Sequence, residues 1–67
     1  MPRLHISKEL IGVLLKNGFH FVSQKGSHKK FRNGPRIVIV PDPKDEIPYG
    51  TFTSIVRQSG LKKEDFE

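Results

Sequence analysis

The Asn33-Gly34 pair, which lies between two strand-like segments, is the feature that most constrains the fold of this chain. Asn-Gly is a strong signal for a two-residue hairpin turn, because both residues accept the positive φ angles that such turns need. A turn this short joins antiparallel neighbours. We therefore expect the segments 28–32 and 36–40 to pair as antiparallel strands.

A third strand is predicted immediately before this hairpin. Residues 19–24 are rich in aromatic and β-branched side chains, and Lys25-Gly26-Ser27 supplies the turn that follows them. The run 36–40 is continuously apolar, which predicts a central or well-covered strand, and prolines end it at positions 41 and 43. Together these segments predict a three-stranded antiparallel sheet.

A first helix is predicted before the strands. Ser7 is expected to be its N-cap, because a serine hydroxyl can accept a backbone N–H of the first turn, which contributes about 1 kcal/mol. Asn17-Gly18 ends the helix, so that it spans about residues 8 to 17. Apolar residues recur at helical spacing and are expected to face a core: Leu10, Ile11, Leu14 and Leu15.

A second helix is predicted after a proline-rich loop at 41–50. It begins near Gly50 or Thr51, ends at Gly60, and places Phe52, Ile55 and Val56 on one side. Leu61 and Phe66 then bracket one last helical turn. The order α-β-β-β-α predicts an α+β fold in a single domain, 1–67, with both helices on one face of the sheet and the other face free.

The size and composition of the chain exclude several classes of protein. A chain of 67 residues buries on folding only about 60% of the surface that it exposes when unfolded. There is no cysteine, hence no disulfide and no thiolate metal site. The amphipathic N-terminal sequence argues against a signal peptide, and no run approaches the roughly 20 apolar residues of a membrane span. We expect a cytoplasmic protein with no membrane contact.

Positive charge is concentrated in the middle of the chain. The net charge is +5, yet no acidic residue lies between Glu9 and Asp42, and residues 25–36 hold five cations. Such a strip favours phosphate backbones through counterion release. A basic strip can equally be a solvated surface with no ligand.

His28 lies within this basic strip at the start of a predicted strand. Alternation along the strand places His28, Lys30 and Arg32 on one face and Phe31 on the other. Phe31 is the natural core residue, so the face with His28 points outward. Imidazole titrates at about pH 6.5 and can transfer a proton at cellular pH. The residues alone also permit a structural histidine that binds the turn backbone.

The other histidines carry less information about function. His5 and His20 are expected to be structural or solvent-facing, because one precedes the first helix and the other lies beside aromatic residues. The three histidines lack the spacing of metal ligands, and the acidic residues lie away from them in the sequence. We expect no metal site and no cofactor.

Five short motifs follow one another in order along the chain: Lys-Asn-Gly-Phe at 16–19, Gln-Lys-Gly-Ser-His at 24–28, Phe-Arg at 31–32, Pro-Tyr-Gly-Thr at 48–51 and Ile-Val-Arg-Gln-Ser-Gly at 55–60. In this order they resemble the motifs of the HicA toxin family, small mRNA interferases of bacterial and archaeal toxin–antitoxin pairs. The similarity spans roughly residues 7 to 66.

The resemblance implies a fold, an activity and a partner. The family fold is similar to a double-stranded RNA-binding domain. The catalytic histidine of the family follows a Gly-Ser pair, which identifies His28. The activity implied is metal-independent endoribonuclease cleavage of mRNA. It is neutralised by a HicB antitoxin that binds over the active site, and direct DNA binding is not expected except through the antitoxin.

The residues around His28 suggest how RNA would be bound and cut. His28 would act as general base or acid in cleavage of the RNA backbone. As a base it would deprotonate a ribose 2′-hydroxyl, which attacks the adjacent phosphorus. The expected RNA-binding residues are Lys25, Gly26, Ser27, Lys30 and Arg32: the cations neutralise phosphoryl charge, and the Gly-Ser turn lets backbone N–H groups approach a phosphate. The second proton carrier is unassigned, with Tyr49 or a lysine as candidates.

Two other functions fit the same sequence features. The fold and the charge suit a non-catalytic RNA-binding module. They also suit an interaction protein whose basic face docks an acidic partner. A HicB-type antitoxin, if it occludes the site, is expected to place carboxylates or an aromatic side chain near His28.

Overall fold

The computed structural model describes residues 5–43 and 46–67. The order of elements confirms the predicted α-β-β-β-α fold with a three-stranded antiparallel sheet. None of the helices in these two ranges is long and apolar enough to cross a membrane. The elements are α1 (Ser7–Lys16), β1 (His20–Lys25), β2 (His28–Asn33), β3 (Arg36–Pro41), α2 (Tyr49–Ser59) and a short 3₁₀ helix (Lys63–Phe66).

The sheet has the order β1-β2-β3, which makes β2 the central strand and β3 an edge strand. The prediction that β3 is central or well covered is therefore wrong. Val38 and Val40 are fully buried under the helices, whereas Ile37 and Ile39 are 45% and 36% exposed on the opposite face. A strand covered on one face usually alternates apolar and polar residues. Residues 37–40 are all apolar, so the sequence does not show that only one face of β3 is covered.

The turn of the second hairpin lies one residue later than predicted. Asn33 and Arg36 are paired across the two strands, so Gly34-Pro35 forms the turn. A turn centred on Asn33-Gly34 would require the N–H of residue 35 in the ladder, and proline has none. Gly34 supplies the positive φ of 61° that this turn needs.

Helix α1 begins without the side-chain cap that was predicted. Ile6 is the N-cap, and its N–H donates to Oε1 of Glu9 at 3.2 Å. Ser7 lies inside the first turn, where it is buried, and its hydroxyl donates to Oδ1 of Asp42 at 2.6 Å. The prediction of Ser7 as the N-cap is wrong, because a contact that is distant in sequence takes its hydroxyl.

The core lies between the helices and one face of the sheet. Leu15 was predicted to belong to it and is 51% exposed, because only the Leu10/Leu14 side of α1 packs on the sheet. Phe31 is buried at the centre of β2, and Phe66 of the 3₁₀ helix is buried too, both as predicted. The core side chains are Leu10, Leu14, Phe19, Phe31, Val38, Val40, Ile47, Phe52, Ile55 and Phe66.

Candidate functional site

His28 is the first residue of the central strand and is exposed on the face of the sheet that the helices leave open. It pairs with Lys25 on β1 and with Pro41 on β3. The two-residue turn before it is possible because Gly26 takes a positive φ of 60°. The hairpin therefore fixes the imidazole at one end of the sheet, between both neighbouring strands.

Two depressions meet at His28, and Ile39 also lines both of them. The first, which we call the basic depression, has a volume of about 630 Å³. The second, the helix pocket, lies at the β3 edge of the sheet beside α2 and has a volume of about 400 Å³. The basic depression is lined by Ser23, Lys25, Gly26, His28, Lys30 and Ile39. The helix pocket is lined by His28, Ile39, Pro41, Pro48, Thr51, Ser54, Ile55 and Gln58.

The structure brings together four of the six predicted site residues. Lys25, Gly26 and Lys30 line the basic depression together with His28. Two ammonium groups at a depression that also contains an imidazole form a suitable environment for a phosphate group.

Ser27 and Arg32 do not line either depression. The carbonyl oxygen of Ser27 accepts the N–H of Asp42 at 2.7 Å. Arg32 is four residues from His28 along the strand, about 13 Å away. Its Nε donates to the carbonyl oxygen of Gly34 at 2.8 Å. Arg32 therefore belongs to the other end of the sheet.

Tyr49 was one candidate for the second proton carrier, and it does not line either depression. It projects from α2 about 160° away from Thr51, which does line the helix pocket. The hydroxyl of Tyr49 accepts a hydrogen bond from Nζ of Lys63 at 3.3 Å, and its ring lies against Phe52. Lys25 and Lys30, by contrast, line the same depression as the imidazole of His28.

Asp42 holds the chain on both sides of His28. Its carboxylate accepts a hydrogen bond from Nζ of Lys29 at 2.6 Å and one from the Ser7 hydroxyl at 2.6 Å. Its own N–H binds the carbonyl oxygen of Ser27. The bond from Lys29 is the main reason that the pKa of Asp42 lies below its usual range, and the bond from Ser7 adds to it. Lys29 thus neutralises a carboxylate and does not line either depression.

Sequence reasoning missed the residues that α2 contributes to the site. Thr51, Ser54 and Gln58 line the helix pocket opposite His28. Their spacing of three and four residues is that of one helical stripe, directly beside the apolar stripe that faces the core. That polar stripe was a usable signal, although it does not reveal which strand it approaches.

The remaining histidines lie away from both depressions. His20 is exposed and pairs with Arg32. His5 is partly buried, its ring stacks on Phe52 at a centroid distance of 4.6 Å, and its Nδ1 lies 3.7 Å from Oε1 of Glu9. Both agree with the structural or solvent-facing roles expected from the sequence. Within the described ranges, no three His, Asp or Glu side chains are grouped closely enough to hold a metal ion.

Comparison with known families identifies the family of the chain. The model of a family described as the HicA toxin of bacterial toxin–antitoxin systems matches residues 7–61. This span contains the whole sheet, both α-helices and every residue that lines the two depressions. A comparison with curated proteins gave no match. The resemblance that was inferred from the ordered motifs is confirmed.

Proposed function

The chain belongs to the HicA toxin family of bacterial toxin–antitoxin systems, and we propose that it is an endoribonuclease that cleaves mRNA with His28 as the catalytic residue. The observation that carries the proposal is the position of His28. The imidazole is exposed at a depression that also contains Lys25 and Lys30. Cleavage of an RNA backbone requires at least a group that transfers a proton and cations that hold the phosphate, and His28 with Lys25 and Lys30 can supply both.

In the proposed reaction, a nitrogen of His28 takes the proton from a ribose 2′-hydroxyl. The resulting oxygen attacks the adjacent phosphorus, the bond from phosphorus to the 5′-oxygen breaks, and the products are a 2′,3′-cyclic phosphate and a 5′-hydroxyl. A positioned histidine contributes a factor of about 10² to 10⁴ in rate. DNA lacks the 2′-hydroxyl and is not a substrate.

Lys25 and Lys30 are the groups that would stabilise the transition state. Both line the depression that His28 lines, so a phosphate seated there meets two ammonium groups. Such groups act on the charge that develops on the phosphoryl oxygens. One of these lysines is also the candidate that remains for protonating the 5′-oxygen, since Tyr49 does not line either depression.

The decisive experiment compares His28→Ala with a matched control, His20→Ala. His20 is an exposed histidine on the neighbouring strand, across from Arg32 at the far end of the sheet. We expect His28→Ala to lose cleavage of a single-stranded RNA while its affinity for that RNA stays within about threefold, and His20→Ala to keep both. Cleavage should persist in excess chelator, and a substrate with one 2′-deoxy nucleotide should resist cleavage at that position.

Two results would overturn the nuclease proposal. One is purified wild-type protein that binds RNA and never cuts it, which would leave the non-catalytic RNA-binding module as the function. That second candidate is favoured by the same basic depression, because cations bind phosphates whether or not cleavage follows. The other is a His28→Ala variant that cuts at the rate of the wild type.

Membership of a toxin family implies a cognate antitoxin, and we propose that this partner is of the HicB type and covers His28. The imidazole is on an open face that a protein partner can cover without unfolding any element. Mixing with the antitoxin should stop cleavage and protect His28 from chemical modification. An antitoxin bound only on the outer side of α1 and α2 would contradict this.

Since the proposed target is mRNA, we expect the toxin to act in the cytoplasm.

A further inference from the structure

The two depressions that meet at His28 differ in charge. The basic depression contains Lys25 and Lys30. Of the described residues that line the helix pocket, His28 alone can carry a charge, and the others are apolar or uncharged polar side chains. A phosphate group prefers the first environment. A flat, uncharged ring with hydrogen-bonding atoms at its edge prefers the second.

Gln58 holds a fixed orientation at the wall of the helix pocket. Its Oε1 accepts the backbone N–H of Ile39 at 3.3 Å. A backbone N–H can be paired only by the oxygen of the side-chain amide, so this bond settles which way the amide is turned. The main-chain oxygen of Gln58 also accepts from Nη1 of Arg36 at 3.5 Å. The residue is therefore tied to β3 at two points.

This orientation leaves hydrogen-bond donors available in the pocket. Within residues 5–43 and 46–67, Nε2 of Gln58 and the hydroxyls of Thr51 and Ser54 have no hydrogen-bond partner in the protein. All three residues line the pocket, whereas Ile39, Pro41 and Pro48 supply apolar surface. The pocket thus combines apolar walls with a few polar groups, the usual composition of a small-molecule site.

We propose that the helix pocket binds the base of a nucleotide adjacent to the scissile phosphate, and that Gln58 selects this base by donating from Nε2. The inference rests on the proposed function, because it takes RNA to be the substrate and His28 to be the point where the backbone is cut. The volume of about 400 Å³ lies in the range of sites for small ligands, about 300–1,000 Å³.

The direction of the expected preference follows from the donor. Guanine and uracil present carbonyl oxygens where adenine and cytosine carry amino groups. Nε2 is the atom of this amide that is left unpaired. Its N–H donors pair with the carbonyl oxygen of guanine or uracil, whereas an amino group at the same ring position offers no lone pair to accept them. A good pairing of this kind is worth about tenfold in discrimination. Cleavage by the wild type should therefore favour guanine or uracil at one nucleotide next to the broken bond.

The test is Gln58→Glu, read out on a pool of random single-stranded RNAs whose new 5′-hydroxyl ends are sequenced. A glutamate can still accept the N–H of Ile39 with one oxygen, but it replaces the donors with a second acceptor. The preference should shift from the carbonyl bases towards adenine or cytosine. Gln58→Met, which keeps the length of the side chain and removes the amide, should erase the preference.

Gln24→Glu is the matched control, since Gln24 is outside both depressions and its Nε2 is bound to the carbonyl oxygen of Gly26. It adds the same negative charge and should lower overall RNA affinity while the base preference stays as in the wild type. Urea unfolding of each variant tests whether the fold is intact.

Failure of this inference can be told apart from failure of the proposed function. If the wild type cuts RNA and Gln58→Glu and Gln58→Met keep its base preference, the base pocket is refuted and the nuclease stands. If the wild type cuts nothing, the nuclease is refuted, and binding of 2′-O-methyl oligouridine and oligocytidine then decides about the pocket. Tighter binding of oligouridine that disappears in Gln58→Met supports the pocket; equal binding of both by the wild type refutes it.

Discussion

Asp42 connects three parts of the chain, and replacing it is expected to destabilise the fold in a graded way. Its carboxylate binds the buried Ser7 hydroxyl and the Lys29 ammonium, both at 2.6 Å. A hydrogen bond to a charged group contributes about 1.5–3 kcal/mol. The ion pair adds less than about 1 kcal/mol, because the Lys29 and Asp42 side chains remain 29% and 19% exposed.

These contributions separate two variants at neutral pH. Asp42→Ala removes both bonds and should lower the free energy of unfolding by about 2–3 kcal/mol. Asp42→Asn keeps an oxygen for the Ser7 hydroxyl and loses the charge opposite Lys29, so it should cost about 1 kcal/mol. For a domain of 60–100 residues each kcal/mol corresponds to a shift of about 4–8 °C in Tm.

The pH dependence gives a second readout of the same carboxylate. Its pKa lies below the usual 3.8 because Lys29 and then Ser7 donate hydrogen bonds to it. A carboxyl group with a lowered folded-state pKa stabilises the fold above its unfolded pKa, and that contribution is lost as the pH falls through the folded value. The difference in stability between the wild type and Asp42→Asn should therefore shrink as the pH is lowered from about 5 to about 2.

Urea unfolding followed by circular dichroism at neutral and acidic pH measures both effects. An Asp42→Ala variant as stable as the wild type, or a difference from Asp42→Asn that does not change with pH, would refute the reasoning. RNA cleavage by the Asp42 variants tests a second consequence, since Asp42 holds the residues on both sides of His28 and so fixes its position. Cleavage at saturating RNA should fall more than RNA affinity does, in line with a positioning residue.

Two further predictions concern the end of α2 and the basic depression. Gly60→Ala should destabilise the fold by about 1–2 kcal/mol in thermal unfolding, because Gly60 has a φ of +73° and a methyl group there also collides with the Arg36 guanidinium. Lys25→Ala and Lys30→Ala should each weaken RNA binding at low salt and reduce the slope of log affinity against log salt by about 0.7 in a titration with single-stranded RNA; an unchanged slope would exclude a phosphate contact.

The parts of the fold that follow from local patterns could be predicted from the sequence. The order of elements, the inward position of Phe31 and the outward position of His28 depend only on the periods of helices and strands. The end of α2 at Gly60 depends on the positive φ angle of that residue, which glycine adopts readily. The predicted position of the hairpin turn was wrong by one residue. The Asn33-Gly34 pair favours a turn at 33–34, but Pro35 has no N–H to pair across the strands after such a turn.

The features that were missed depend on residues distant in sequence. Ser7 has the local signature of a cap, but its hydroxyl binds Asp42, which is 35 residues away. Leu15 has the spacing of a core residue, yet the width of the buried stripe is set by how α1 meets the sheet. Thr51 and Gln58 likewise approach His28 only through tertiary packing, which the local sequence of α2 does not predict.

Gln58 shows how one side chain serves both the fold and the proposed site. An edge strand exposes unpaired N–H groups that invite pairing with other chains, and the bond from Ile39 to Gln58 occupies one of them on β3. The same bond leaves the Nε2 donors unpaired on a residue that lines the helix pocket together with His28. The two kinds of antitoxin side chain expected near His28 would then bind in different depressions. Carboxylates complement Lys25 and Lys30 in the basic depression, and an aromatic ring fits the uncharged helix pocket. A partner that fills both depressions would compete with the phosphate and with the base of the RNA at once, whereas one that fills a single depression would leave part of the RNA contact in place.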